Sequence, residues 1–466
     1  MPCRALGQGS GRSEAAPEAP QRRPKQAMIR HLKRLLGFRL VRNVAALYGV
    51  RAIDQLLPIV VIPFLARVLG ADGWGLVAGA QALAMYGIIT VEYGFEFAGT
   101  RAVARDRHDA ARLAELISGI LATQLLLACA IALAAVAVRW TVPEFQQNPA
   151  LIWAALAFAV LQGFHPLWFF VGQERIPLIA LIGVTAKVIA TIIIFGFVRG
   201  PEDGWIVLAA YGGSAGLATL AGYALVLRQV RPGRLHLALI GQTLKLGFSM
   251  FAMRGAVLMH TAGNSFLLLL LGGPIQVAFF AAGEKLCRPA AWLLHPINIA
   301  LLPRLSHLAE HSPDQAKTMA RLAILVMAAV GLSFGLLIGV LAPWLVDLLF
   351  GLPEYREAVT VLRVMSLIIP MIVLNAALVS QWMVPQKLDR ALLVVIVSGT
   401  LINLTLALIC APRYGALGMA WVTVTVEVYI LCGLLFALHR RGLRPIEPRL
   451  LPTLVRDVVA QIVKHR

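Results

Sequence analysis

The chain has 466 residues, 59% of them hydrophobic and 14% charged, with a mean hydropathy of +0.78. That balance excludes a soluble enzyme and points to an all-α, polytopic membrane protein. A formal net charge of +19 would suit nucleic acid, but its placement along the chain suits a membrane surface, so no nucleic-acid partner is expected.

In chain order, the first 27 residues are rich in Pro, Gly, Arg and Gln and read as a disordered lead, with no cleavable signal expected. Residues 28–42 (MIRHLKRLLGFRLVR) alternate bases with apolar residues, a pattern for lying on the inner membrane surface among its lipids. Twelve apolar spans follow, at roughly 43–66, 73–98, 113–138, 149–171, 176–198, 204–227, 244–271, 274–302, 319–343, 359–383, 390–411 and 415–438. With both termini in the cytoplasm, and Lys245, Arg321, Arg363 and Arg390 near span ends counted with the adjoining loops, 31 of the 42 Lys and Arg fall on cytoplasmic segments, 6 on outer loops and 5 within spans. The basic loops include Arg101, Arg105, Arg107 and Arg112, and then Arg228, Arg231, Arg234 and Lys245. The tail 441–466 is basic as well and is assigned to the cytoplasm. Of five cysteines (Cys3, Cys129, Cys287, Cys410, Cys432), none is in a CxxC spacing, so packing is their expected role and no metal site is expected.

The spans divide into two halves, 43–228 and 244–440, joined by a cytoplasmic linker at 229–243 that contains Pro232 and Gly233. Arg51 lies in NVAALYGVRAIDQLLPIVV and Arg254 in KLGFSMFAMRGAVLMHTAG, and each segment ends in Leu-Gly, at Leu69-Gly70 and Leu271-Gly272. The arginines are 203 residues apart and those glycines 202, so two six-helix lobes repeat in nearly the same register. Six is even, which makes the repeats parallel rather than inverted. A cation at one depth of two repeated spans, where charge costs at least about 2.5–3.5 kcal/mol, points to a shared path for an anion.

Each ionisable residue in a span is a candidate for that path. Arg51, Asp54 and Gln55 share one helix face; Asp54 either neutralises Arg51 locally or orients its fork toward a cavity. Arg254 has no acid within a turn, so its counter-charge must come from another helix or from a ligand. Glu284 and Arg288 have the favourable i, i+4 order, Lys285 points away from them, and His295 follows two turns on. Lys187 stands alone in the fifth span and Glu427 in the twelfth, while Glu92 and Glu96 either line the path or pair with Arg101 or Arg105. Prolines 58, 63, 166, 177, 289, 296, 303 and 370 mark span breaks of the kind that expose backbone to a cavity. The outer loops are all short, and no nucleotide cradle, nucleophile elbow or HExxH is present, so catalysis is not expected.

The phrases YGFEFAGTRAVARDR, PLWFFVGQER (166–175), PINIALLPRLSHLAE (296–310) and LLPIVVIPFLARVLGADGWG resemble the Wzx-type oligosaccharide flippases, the polysaccharide-transporter branch of the MOP exporter superfamily. The resemblance spans about residues 40–440 and implies a two-lobed bundle around a central cavity. It also implies a bacterial inner-membrane location and a cargo of undecaprenyl-diphosphate-linked oligosaccharide, moved by alternating access for surface polysaccharide synthesis. A polysaccharide polymerase and chain-length machinery are then the expected protein partners. On this reading Arg51, Arg254, Lys187, Lys285 and Arg288 form a cationic chamber. Asp54, Glu92, Glu284 and Glu427 orient those cations or couple transport to H+ or Na+; no cofactor is expected. The alternatives are an ion-coupled drug or cation antiporter of the same superfamily, and a membrane glycosyltransferase or polymerase of lipid-linked sugars. The short outer loops weigh against the enzyme.

Overall fold

The computed structural model describes residues 23–233, 237–293, 313–351 and 353–445, with the side chains of 23–48, 50–56, 58, 237 and 313–317 left outside the description. Among the described residues every regular element is helical. Helix α1 (Arg23–Glu92) is interrupted at Gly70, where φ is 71° and ψ 177°. There follow α2 (Phe95–Arg105), α3 (Ala110–Thr141), α4 (Pro143–Gln147), α5 (Pro149–Gly163), α6 (Leu167–Gly172), α7 (Ile176–Phe197) and α8 (Gly204–Gln229). The second part of the chain forms α9 (Leu237–His260), α10 (Gly263–Gly272), α11 (Pro274–Trp292), α12 (Pro313–Phe350), α13 (Arg356–Ser366), α14 (Ile368–Leu378) and α15 (Asp389–His439). A break at Gly415 (φ 54°, ψ −135°) divides α15.

Among the described residues eight helical segments are long and apolar enough to cross a membrane, or nine if α9 and α10, bent by 47° at their junction, form one span. Two of the eight, Ile59–Arg105 and Asp389–His439, have 47 and 51 residues. At 1.5 Å per residue each exceeds about 70 Å, more than twice a hydrocarbon core, so each turns back, at Gly70 and at Gly415. The spans at 149–171 and 359–383, where Pro166 and Pro370 mark expected breaks, are both interrupted. Pro166 separates α5 from α6, and a π-turn at Val379–Met383 ends the α13–α14 run. Pro289 and Pro370 lie inside α11 and α14; Pro296 and Pro303 lie outside the described residues.

Segments expected on one side of the membrane meet at one end of the bundle. Arg67 donates to the Leu348 carbonyl at 2.5 Å, and Gln276 accepts from the Ala416 amide at 2.7 Å. At the other end Arg107 pairs with Glu174 at 3.1 Å, Arg175 donates to Gln229 at 3.0 Å, and Arg321 donates to the Arg444 carbonyl at 3.1 Å. The second end, which gathers Arg107, Arg175 and Arg321, is the arginine-rich one among these contacts; the first has Arg67 alone.

Small residues let the two parts of the chain approach closely. Gly75 and Gly79 are one turn apart on the arm of α1 beyond Gly70. A Cβ on Gly75 would lie 1.8 Å from the Pro274 carbonyl oxygen, and one on Gly79 would lie 2.7 Å from the Leu269 side chain. With no hydrophobic drive between helices in lipid, such backbone contact supplies the packing. The same arm then passes α10, where the Tyr86 and Phe266 rings meet edge-on at 6.3 Å.

Two outcomes follow. Gly75→Leu forces a side chain into the Pro274 backbone and should cost about 1–3 kcal/mol or more, seen as loss of the monodisperse peak and of melting temperature in detergent. In a cysteine-free background, cysteines at Glu202, Glu354 and Arg413 should react with an impermeant thiol reagent from outside intact cells, and those at Arg107, Arg231 and Lys387 should not; the opposite pattern reverses the orientation.

Candidate functional site

The repeat register is tighter than the Leu-Gly pairs suggest. The backbone counterpart of Gly70 is Gly273, with φ 81° and ψ 173°, not the expected Gly272. The two glycines are thus 203 residues apart, the same spacing as the arginines, and each arginine lies 19 residues before its glycine. That is about 28 Å of helix, nearly a full hydrocarbon thickness. Position 254 therefore belongs to the arginine-rich side of the bundle rather than its middle. Arg51, Asp54 and Gln55 lie in α1, but their side chains are outside the described set.

Arg254 finds its counter-charge on another helix. Its Nη1 donates to Glu92 Oε1 and, at 2.9 Å, to Glu96 Oε2. The alternative partners are occupied elsewhere: Arg105 binds Asp106 at 3.0 Å, and Arg101 donates to the sulfur of Met250 at 3.6 Å. The chain brings the two acids together by breaking between α1 and α2. Tyr93 (φ 48°) and Gly94 (φ 74°) are both left-handed, so Glu92 ends one helix and Glu96 opens the next. Gly94 and Gly247 permit the approach: a Cβ on Gly247 would lie 2.3 Å from the Tyr93 carbonyl oxygen. Tyr93 stacks on Phe251 with centroids 4.6 Å apart, and Phe97 lies 5.6 Å from the guanidinium carbon. One cation thus faces two acids, and the guanidinium is not an open cation.

The second cluster lies on α11. Arg288 Nε donates to Glu284 Oε1 at 2.9 Å, the pair expected from its spacing, and Ser265 lies 3.4 Å from the other oxygen. Arg288 is therefore committed to an acid, although its Nη2 is buried with no hydrogen-bond partner. Lys285 is half-buried and has no hydrogen bond or ion pair among the described residues, which makes it the freer cation of α11. Lys187 is half-buried on α7 and is not free of partners, unlike the lone lysine expected from its span. Glu427 is buried and accepts from Asn375 Nδ2 at 2.9 Å, so it too has a partner, an amide rather than a base. His295 lies outside the described residues.

A buried polar group beside the α9–α10 bend went unread in the sequence. His260 Nδ1 lies 3.1 Å from Thr400 Oγ1, Asn403 donates to Asn264 at 2.8 Å, and Asn264 donates to Thr423 at 3.2 Å. The signal was asparagine inside apolar spans, at 264, 375 and 403, whereas only ionisable residues had been weighed. Conversely, the aromatic part of the motif PLWFFVGQER proves to be core: Trp168, Phe169 and Phe170 are each at most 1% exposed, while Glu174 and Arg175 are exposed. Gly99 packs on Trp168, and Gly172 packs on Val103. Among the described residues no group of His, Cys, Asp and Glu could hold a metal ion.

Broken apolar helices with charged pairs locked between them define a polytopic helical membrane protein. Residues 40–309, more than half of the chain, match the family described as "Polysaccharide biosynthesis protein", and the chain belongs to that family. It is 24% identical over 395 residues to a "Putative O-antigen transporter" of Escherichia coli (strain K12), covering 84% of this chain and 94% of that one. It is 29% identical over 407 residues to a protein of the same name in Shigella dysenteriae, covering 85% and 99%. Among solved structures it is similar to the lipid II flippase MurJ in an inward closed conformation, with a TM-score of 0.62 at 12% identity over 86% of this chain and 87% of that one. An outward-facing multidrug resistance MATE family transporter of the MOP superfamily matches with a TM-score of 0.56 at 18% identity, over 86% and 95%. At these identities the structural likeness establishes the fold. The relatives are named as transporters, not enzymes.

Asn375→Leu removes the donor from the buried Glu427 carboxyl and should lower stability by about 1–3 kcal/mol, measured as a melting-temperature shift in detergent. Adding Glu427→Leu should recover part of the loss; strictly additive losses would mean that the two side chains do not interact.

Proposed function

We propose that the protein is a flippase that carries undecaprenyl-diphosphate-linked oligosaccharide repeat units across the bacterial inner membrane, by alternating access, for surface polysaccharide assembly. The family match over residues 40–309 carries this reading, and two relatives named as O-antigen transporters over most of their length support it. Both termini face the cytoplasm, consistent with the arginine-rich end of the bundle. A polysaccharide polymerase and chain-length machinery take the product on the outer side.

The physical task is to move a diphosphate through a slab where bare charge costs several kcal/mol or more. Guanidinium forks suit it because they bind phosphate oxygens in pairs. Arg51 and Arg254, one per half and at one depth, are the proposed diphosphate ligands. Lys285 supplies a further cation from α11, and Lys187 one from α7. Arg288, held by Glu284, orients α11 before it can serve cargo. Glu427 is the best-suited coupling acid for H+ or Na+, because its described partner is a neutral amide that leaves a proton or cation free to bind. Asp54, Glu92 and Glu284 act as orienting acids.

Deleting the gene should make undecaprenyl-diphosphate-linked repeat units accumulate, with loss of surface polysaccharide. An unchanged lipid-linked pool, or accumulation of monosaccharide-linked precursors only, would overturn the reading. Arg254→Ala alone leaves two carboxylates facing each other and should lower the yield of folded protein. Adding Glu92→Gln and Glu96→Gln should restore the yield but not export, measured by glycan blotting. Full export by that well-expressed triple variant would remove Arg254 from the path.

A further inference from the structure

The Arg254 cluster spans a seam between distant parts of the chain. Glu92 and Glu96 belong to the α1–α2 break, while Arg254 lies some 160 residues later on α9. Around them the seam is closed by glycine contact, by the Tyr93–Phe251 stack and by Arg101 reaching Met250. Glu96 lies nine residues before the end of α2, about 13 Å of helix from the arginine-rich end. The cluster thus sits just inside the end where cytoplasmic entry is expected. It is also one-sided. At the matching positions 203 residues on, the chain carries His295 and Ile299, so no second carboxylate pair stands in register for Arg51.

We infer that Arg254, Glu92 and Glu96 form a latch that a diphosphate opens by taking the guanidinium away from both carboxylates. The inference rests on the flippase reading and deepens it, because it makes cargo recognition and opening of the seam one event. With Arg254 held by both acids, the seam is closed, with two carboxyl groups sharing one guanidinium in a half-buried place. A diphosphate offers several anionic oxygens to the same fork and competes with two monoanions for it. Once the guanidinium turns to phosphate, Glu92 and Glu96 face each other with no cation between them. The two pairs that tied α9 to the α1–α2 break are then lost, and the demand of both carboxylates for water opens the seam between α2 and α9. An uncharged sugar has no grip on such a latch, and a cation would tighten it by binding the acids. Selection for an anionic headgroup is thereby built into the opening step.

The test uses the full-length protein in detergent, in a cysteine-free background, with Met250→Cys as reporter. Met250 is half-buried in the seam beside Gly94, whereas Phe248, two residues away, is exposed and serves as a control site when changed to Cys. Inorganic pyrophosphate should raise the thiol-labelling rate at 250 by about tenfold and leave that at 248 unchanged. Glu92→Gln with Glu96→Gln should give the raised rate without pyrophosphate and abolish the response to it. Chloride at equal ionic strength and orthophosphate should have little effect. In vesicles, replacing a zwitterionic lipid by phosphatidylglycerol should not mimic pyrophosphate. Labelling at 250 that ignores removal of both acids would overturn the latch. A latch released by the acid variants but not by pyrophosphate, or released equally by phosphatidylglycerol, would overturn the diphosphate trigger. None of these outcomes touches the lipid-linked pool in the deletion strain, so failure of the latch and failure of the flippase reading are separable.

Discussion

A charge inside a hydrocarbon slab must find its compensation within the protein, and the arrangement of this bundle follows from that constraint. Arg254 is served by two acids from two other helices, Arg288 by an acid one turn away, and Glu427 by an amide from α14. Each solution ties together segments that hydropathy alone would leave indifferent to one another, since lipid competes with apolar side chains on equal terms. The broken helices are part of the same solution. Without the left-handed residues at 93 and 94, Glu92 and Glu96 would lie on one continuous helix, and the carboxylates could not close on the guanidinium from two elements.

Much of this was legible in the sequence because the relevant forces act locally. Hydropathy over about twenty residues marks the spans, and the bias of Lys and Arg marks the two ends. The Glu284–Arg288 pair was readable because four residues on a helix make neighbours. The Arg254 pairing was not readable, because its partners are 158 and 162 residues away and nearer arginines offered an equally good match. The exchange of Gly272 for Gly273 as the repeat marker had a similar cause. Two adjacent glycines look alike in sequence, and only the backbone angle tells which one makes the turn. The asparagine cluster was missed for a different reason. Neutral amides cost less in a membrane than charges, so they attract less notice than their buried hydrogen bonds warrant.

The two ends of the seam along the long arm of α1 are built from different materials. At the arginine-rich end the contact depends on three ionisable side chains and a pair of stacked rings. At the opposite end it depends on Gly75, whose backbone lies on that of Pro274 and Ala278. The first can be undone by exchanging partners; the second has no partners to exchange.

That difference assigns a mechanical part to the glycine face. A contact without side chains has no rotamers to reset and no ion pairs to break, so one helix can roll across the other at small cost. In the proposed latch it would work as a bearing. Force generated by the charges at the far end would be turned there into rotation rather than separation, and the lever between them is the length of the arm itself.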